Sequence, residues 1–343
     1  MELTSRKRAI IAEIVRAHIE TGEPIGSKIL ADRMTNAPST ATLRNEMNEL
    51  SQMGYLEQPH TSAGRLPTSK AYRLYVSELM THESLSDEGK AVVNKMLSAV
   101  SPDPENIGLS AAKILSELTG LPVLVAANID KRVIIKKATL LPMGQNSAVI
   151  FVITDDGRAR SRLVRTNTPI TAELATKFDE IIAKSVCEKM AAKLDMAYLQ
   201  SVVASSGLDA ISIVPLLATV FDLAEQLSRT DVNVVGTANL LSICEGDLQA
   251  KRILELLSGN ETVNDIFSSA TKPVDIIFGD DTSFVELKPT GMIVAAYGGE
   301  RKLGRIAVIG PTRMSYGRLL PSVEYLAECV GNIMSDVLKG LEE

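Results

Sequence analysis

Hydrophobic periodicity changes character four times along this chain of 343 residues, and that alternation constrains the fold more than any other feature. Apolar positions recur at helical spacing through the first 52 residues. β-branched and aliphatic runs follow at Val123 to Ile129, Val133 to Leu141, Ser147 to Thr154 and Ala159 to Val164. Helical spacing returns over 171 to 229, with a strand at Val232 to Val235 and a helix at Leu248 to Leu257. Strands reappear at Val274 to Phe278, Met292 to Tyr297 and Arg305 to Ile309, before a last helix from about Ser322 to Leu338. Strands, helices and strands again describe one α+β domain interrupted by an inserted segment. Length adds a second requirement, since a single core rarely serves more than about 250 residues.

The N-terminal portion reads as a separate unit. A helix capped at Thr4 or Ser5 carries Ile10, Ile11, Ile14, Val15 and Ile19, and Gly22 with Pro24 stops it. A short helix from Ser27 carries Ile29, Leu30 and Met34 into the turn Asn36-Ala37-Pro38, whose length suits a helix-turn-helix. A third helix opens at Ser39 and closes before Gly54. Tyr55 to Thr68 then form a strand, a small polar tip and a second extended stretch, the pattern of a wing. A fourth helix from Ser69 leads into the polar hinge Thr81 to Asp87.

The third helix carries the chemistry. At about 100° per residue, Leu43, Met47 and Leu50 form one stripe, and Ala41, Asn45, Asn48 and Gln52 lie opposite, with Arg44 on the flank. Arg pairs bidentately with guanine, Asn with adenine, and an Ala methyl touches thymine, so this face suits a DNA major groove. Ser39, Thr40 and Thr42, with the free amides of the helix start, suit phosphate oxygens. Lys28 is a second phosphate candidate. In the wing, Ser62, Gly64 and Arg65 combine close backbone approach with a cation for phosphate or minor groove, and His60 beside Pro59 shapes the tip. The net charge of -6 does not oppose this reading: residues 1 to 76 hold ten Lys/Arg against eight Asp/Glu, a balance of +2, which leaves -8 for the remainder.

Other classes lack their signatures. His18, His60 and His82 all lie in or beside the reader, and no phosphate loop, G-x-G-x-x-G or G-x-S-x-G is present, so an enzyme is not indicated and no cofactor is expected. Cys187, Cys244 and Cys329 are odd in number and far apart, which suits small buried hydrophobes better than zinc ligands or disulfides. Asp155-Asp156 and Asp280-Asp281 read as solvated turns, and Gly310-Pro311-Thr312-Arg313-Met314 as a connection. No apolar run approaches the length of a membrane span and the first residues lack a secretory pattern, so a cytoplasmic protein without membrane contact is expected.

Several runs also carry a family resemblance: Thr21-Gly22-Glu23-Pro24-Ile25-Gly26-Ser27-Lys28, Thr42-Leu43-Arg44-Asn45-Glu46-Met47, Gly54 through Thr68, Tyr72-Arg73, Asn239-Leu240-Leu241 and Gly304 through Met314. Together they resemble the HrcA-type heat-inducible repressors of bacteria, over nearly the whole chain. Leu43 and Ala71 stand where that pattern usually has Ile and Gly. The resemblance implies a winged helix, a GAF-like domain and an inserted dimerising domain. It also implies a homodimer on an inverted-repeat operator of chaperone genes, released by heat and kept active by the chaperonin of the GroE system. The expected borders are 1–80 for the winged helix, 81–102 for a helical linker, 103–174 with 261–343 for the GAF-like domain, and 175–260 for the insert. A repressor of the same build that answers a small ligand in its GAF-like domain is the alternative.

Overall fold

The computed structural model describes residues 3–60, 63–101, 103, 106–127, 132–244, 246–298 and 303–342. The chain opens with three helices, α1 (Ser5–Thr21), α2 (Ser27–Arg33) and α3 (Thr40–Gln52). Thr4 caps α1 through its side chain, and Gly22 ends it at φ +72°, a conformation that costs glycine little. Asn36 adopts φ +59° in the turn between α2 and α3, a role that asparagine tolerates better than most residues. The wing consists of β1 (Leu56–Glu57) paired with β2 (Leu66–Pro67), joined by an antiparallel bridge from Ile25 to Arg65. Helix α4 (Ser69–Leu74) runs directly into a π-helical turn, Tyr75–Leu79, after which α5 (Asp87–Ser98) and α6 (Ile107–Thr119) follow.

The larger part contains two sheets. Strands β3 (Val123–Ala127), β7 (Asp231–Val235), β8 (Val274–Phe278), β9 (Thr290–Tyr297) and β10 (Gly304–Pro311) form one antiparallel sheet, in the spatial order β7-β3-β10-β9-β8. Between β3 and β7 lie β4 (Ile135–Gly144), β5 (Ser147–Thr154) and β6 (Ala159–Arg165), which make a separate three-stranded sheet, then α7 (Ala172–Ser185), α8 (Met196–Ser205) and α9 (Ala210–Ser228). Between β7 and β8 lie α10 (Leu240–Ile243), α11 (Asp247–Leu257) and α12 (Asn260–Ser269), and α13 (Tyr316–Glu342) closes the chain.

Burial explains the layering. Val123, Val125, Ile293, Ala295, Ile306 and Val308 turn one face of the five-stranded sheet toward α6 and α13. Their neighbours Leu124, Ala126, Met292, Val294, Ala307 and Ile309 turn the other toward α11 and α12. A third core joins Ala138, Leu140, Ala148, Ile150, Val152 and Val164 to Phe178, Ile182 and the buried side of α9. Each fully buried Leu or Ile contributes about 1.5–3 kcal/mol, so the two sheets are stabilised by separate reservoirs.

The interruption expected from periodicity is present, but its position differs. The strands over 133–164, assigned on the sequence to the GAF-like part, pair only with one another and share a core with α7 and α9. Conversely β7, α10 and α11, assigned to the insert, belong to the five-stranded sheet and its flank. We therefore place the excursion over residues 132–229, between β3 and β7. A strand's own alternation states which face is buried, not which sheet it joins.

Smaller differences have local causes. The last helix begins at Tyr316 rather than Ser322 and runs through Pro321, at the cost of the hydrogen bond that an N–H there would have made to the carbonyl of Gly317. Helix α9 is long and apolar enough by composition to cross a membrane, contrary to the expectation that no such run exists; Ile213, Leu216, Leu217, Val220, Phe221, Leu223 and Leu227 are buried in the third core. The three cysteines are half-buried free thiols, and burial pushes each one's pKa up. Asp280 and Asp281 are exposed, as expected of a turn, and also make specific bonds: Asp280 accepts from Ser69 Oγ, and Asp281 accepts from the Phe278 amide and from Arg73.

Tyr72 lies at the junction of reader and sheet domain, 1% exposed. Its hydroxyl meets His18 Nδ1 at 2.6 Å, and its ring lies 6.3 Å from Phe278 and 6.1 Å from Tyr316. Burial, and then the charge of Arg313, hold His18 below the ordinary imidazole pKa. A base with a lowered native pKa binds fewer protons folded than unfolded, so its contribution to stability falls as pH drops below about 6.5 and stops falling below the native pKa. Melting curves between about pH 7.5 and 5.5 should show this loss, and His18→Asn should flatten it. Equal pH slopes in both proteins would exclude His18 as its source.

Candidate nucleic-acid interface

The third helix is presented as its two faces require. Leu43 and Leu50 are fully buried and Met47 nearly so, which anchors α3 against α1 and α2. Thr40, Ala41, Arg44, Asn45 and Asn48 are exposed. Thr40, Arg44 and Asn45 make no hydrogen bond or ion pair among the described residues, so their polar groups are available to a ligand. Lys28, exposed in the first turn of α2, is free in the same sense.

Ser39 and Thr42 are engaged locally. The Ser39 hydroxyl accepts the Thr42 amide at 3.1 Å and lies 2.9 Å from its hydroxyl, which satisfies a free donor of the helix start. Their hydroxyls are thus committed to starting the helix in register, a use that competes with the phosphate contacts expected of them.

The wing is tied to the helices at two points. Ile25 and Arg65 exchange both backbone hydrogen bonds at 2.9 Å. A Cβ on Gly64 would lie 2.5 Å from the Ile25 carbonyl carbon, so glycine is required there by backbone approach within the protein itself. The second tie is a side-chain bond: Arg65 Nη2 donates to Asn48 Oδ1 at 2.6 Å, linking the wing to the third helix. Among the described residues, Arg65 Nε is buried without a partner. His60 is exposed at the tip, where its carbonyl accepts the Ala63 amide. Ser62 lies outside the described residues.

Ion pairing sorts the cations of the reader by location. Lys7 pairs with Glu49 at 2.6 Å, Arg6 with Glu46 at 3.6 Å, and Arg33 with Glu13 and Glu20 at 2.7 and 2.8 Å; Arg8, Arg16 and Arg73 are also paired. Of the ten cations in residues 1–76, these six leave Lys28, Arg44, Arg65 and Lys70 without a carboxylate among the described residues. Lys70 donates to the Met53 carbonyl at 2.9 Å and lies over the Tyr55 ring at 4.3 Å, so it closes the end of α3. The other three belong to α2, α3 and the wing. A small net charge thereby yields uncompensated positive charge on the elements that face outward.

Sequence reasoning missed the Arg65–Asn48 bond. A contact across seventeen residues between wing and helix carries no periodic signal.

Comparison with known proteins agrees with both halves of the chain. Residues 2–80 match a family described as the winged helix-turn-helix transcription repressor, HrcA DNA-binding, and residues 107–320 match the HrcA protein C terminal domain. A heat-inducible transcription repressor HrcA of Clostridium perfringens is 31% identical over 99% of this chain and 98% of its own length. One from Caldanaerobacter subterraneus subsp. tengcongensis is 32% identical over 98% of each. Among solved structures, one described as a hypothetical protein at 2.2 Å resolution superposes with a TM-score of 0.62 over 98% of this chain and 99% of that one, at 21% identity, and so shares the fold.

Two expectations follow from the geometry. Gly64→Ala should lower stability by about 1–3 kcal/mol, the usual cost of overpacking, because either the Ile25 bridge or the wing must move; a melting temperature equal to the parent's would contradict it. For Arg65→Ala and Asn48→Ala, DNA affinities measured singly and together should be non-additive by about 0.5–3 kcal/mol. Additive losses would mean that the two side chains act separately.

Proposed function

The chain belongs to the HrcA family of heat-inducible transcription repressors, and on that footing we propose that it represses chaperone genes as a homodimer on an inverted-repeat operator. The observation that carries this reading is the exposed polar face of α3, flanked by uncompensated Lys28, Arg44 and Arg65. In it, Arg44, Asn45 and Ala41 meet base edges in the major groove. Thr40, Lys28 and the amides at the start of α3 hold phosphates, with Ser39 and Thr42 setting the helix start, while Arg65 carries Asn48 with it as the wing approaches the backbone. Two-fold operators call for two-fold proteins.

The outer face of the three-stranded sheet supports self-association. Leu141, Met143, Ile153 and Leu163 are exposed there, with Val149 and Phe151 half-buried between them. By register, Leu141, Val149 and Leu163 form one row across the three strands. No described helix packs on that side, since α7 and α9 cover the other. An apolar face of this kind is the natural seat of a second copy. The order of the five-stranded sheet, β7-β3-β10-β9-β8, supports the GAF-like reading of the remaining domain.

The same architecture supports a reading of heat sensitivity and chaperonin dependence. Strands β3 and β10 are buried on both faces yet lie at opposite ends of the larger domain, so their apolar residues stay exposed until the whole domain has closed. A chain of this kind is retained in active form by the GroE chaperonin and loses activity when stress diverts it.

The test is a titration on an inverted repeat from a chaperone promoter and on a scrambled duplex, at one salt concentration. It is run before and after heating, and with and without chaperonin. Binding specific to the repeat, abolished by heat and restored by chaperonin, is the expected outcome. Arg44→Ala should cost about 1–3 kcal/mol on the repeat and little on the scrambled duplex. Leu141→Glu with Leu163→Glu should yield monomers by sedimentation. Equal binding to both duplexes would reject the operator assignment, and a dimer unchanged by the double substitution would reject the sheet face.

A further inference from the structure

The reader meets the sheet domain through a small, well-defined junction. Its centre is aromatic: Tyr72 of α4 packs on Phe278 at the end of β8 and on Tyr316 at the start of α13, and these two lie 6.1 Å apart. Around that pivot stand polar contacts contributed by residues that DNA reading does not use. Ser69 donates to Asp280 and Arg73 donates to Asp281, both within the short turn after β8. Arg73 also lies over the Phe278 ring at 5.7 Å. From the loop after β10, the Arg313 guanidinium lies against Gly22, where a Cβ would meet it at 3.4 Å. That position places a cation at the C-terminal end of α1, where the free carbonyls and the helix dipole favour positive charge.

One side of the pivot borders a cleft. A cleft of about 680 Å³ separates Val76, Ser77 and His82 from β8 and from Leu320 and Glu324 of α13. The reader's side of this cleft includes the π-helical turn Tyr75–Leu79, a form whose wider ring is uncommon and recurs at functional positions. The cleft leaves room beside the aromatic pivot for the reader to rock about Tyr72. The polar contacts then determine the angle.

We propose that Arg73, Asp280, Asp281 and Arg313 are positioning residues for operator spacing: by fixing the reader's angle on the sheet domain, they set the separation and direction of the two recognition helices in the dimer. This rests on the dimeric reading above. In a two-fold complex each reader must meet the major groove on the same face of the duplex, about one helical turn or a multiple of it apart, so a change of angle at the junction alters which spacing fits. Affinity of one reader for one half-site does not involve these residues.

The experiment uses the full-length chain and a set of inverted repeats whose spacers differ by single base pairs, together with an isolated half-site. Arg73→Ala, Asp280→Ala and Arg313→Ala are compared singly and combined; all three positions are exposed. Melting and sedimentation confirm that each variant is folded and dimeric, and the single variants serve if the triple one is not. The parent should show one spacing optimum, falling about tenfold in affinity away from it. The combined variant should flatten that optimum to within about threefold while half-site affinity stays unchanged. A dimeric variant that keeps the parent's optimum overturns the inference alone, and so does an equal loss on half-site and repeat. A parent that sediments as a monomer and shows no optimum overturns the dimeric reading and this inference with it.

Discussion

The pairing of β3 with β10 holds the larger domain together. Val123 meets Val308 and Ala127 meets Gly304 in an antiparallel ladder, and each strand is buried on both faces. Such strands cannot face water on either side, so the chain between them must leave the sheet and return. The three-stranded sheet with α7 to α9 is one such excursion, and α10 to α12 form another that covers the sheet as it passes. Each has a core of its own or completes one, which is why an insertion inside a sheet domain is tolerated at all. The arrangement also makes the domain dependent on contacts of long sequence separation, which form late and separate cooperatively.

The reader is fastened to this domain by another mixture of forces. Its apolar core continues into that of α6 and α13 through Tyr72, Val76 and Met80, so the two parts share buried surface. A buried phenol needs a hydrogen-bond partner, and His18 supplies it from the end of α1. The junction therefore links the first helix of the DNA reader with the first turn of the last helix in the chain. Charge is organised to a similar end. Acidic residues of α1 and α3 neutralise Lys7, Arg6 and Arg33 in the reader's own scaffold, while Lys28, Arg44 and Arg65, on α2, α3 and the wing, have no carboxylate partner among the described residues. Surface ion pairs of this type add little stability, and their effect here is on where the field points.

Tying the wing to the third helix through Arg65 and Asn48 makes the two reading elements one body. Thr40, Arg44 and Asn45 stay unengaged while Ser39 and Thr42 are occupied with each other, so the same short segment both starts a helix and presents its polar groups. For Arg44 and Asn45 this is a consequence of helical geometry, since positions a turn beyond the start have no free amides to satisfy.

What the sequence determined by itself was everything that depends on near neighbours. Leu43, Met47 and Leu50 recur at helical spacing, Gly22 and Gly54 punctuate helices, and Asp155 to Gly157 make a turn, because capping, periodicity and turn conformation act within a few residues. The exposed polar face of α3 was legible for that reason. Only the tertiary structure decided which sheet each strand joined, since Val133 to Val164 alternate as they would in either one. It alone decided that Asp280 and Asp281 bond to α4, that Gly64 makes room for Ile25, and that Arg65 reaches Asn48. In each case the deciding partner lies far along the chain, and no pattern of spacing within one segment encodes the position of another.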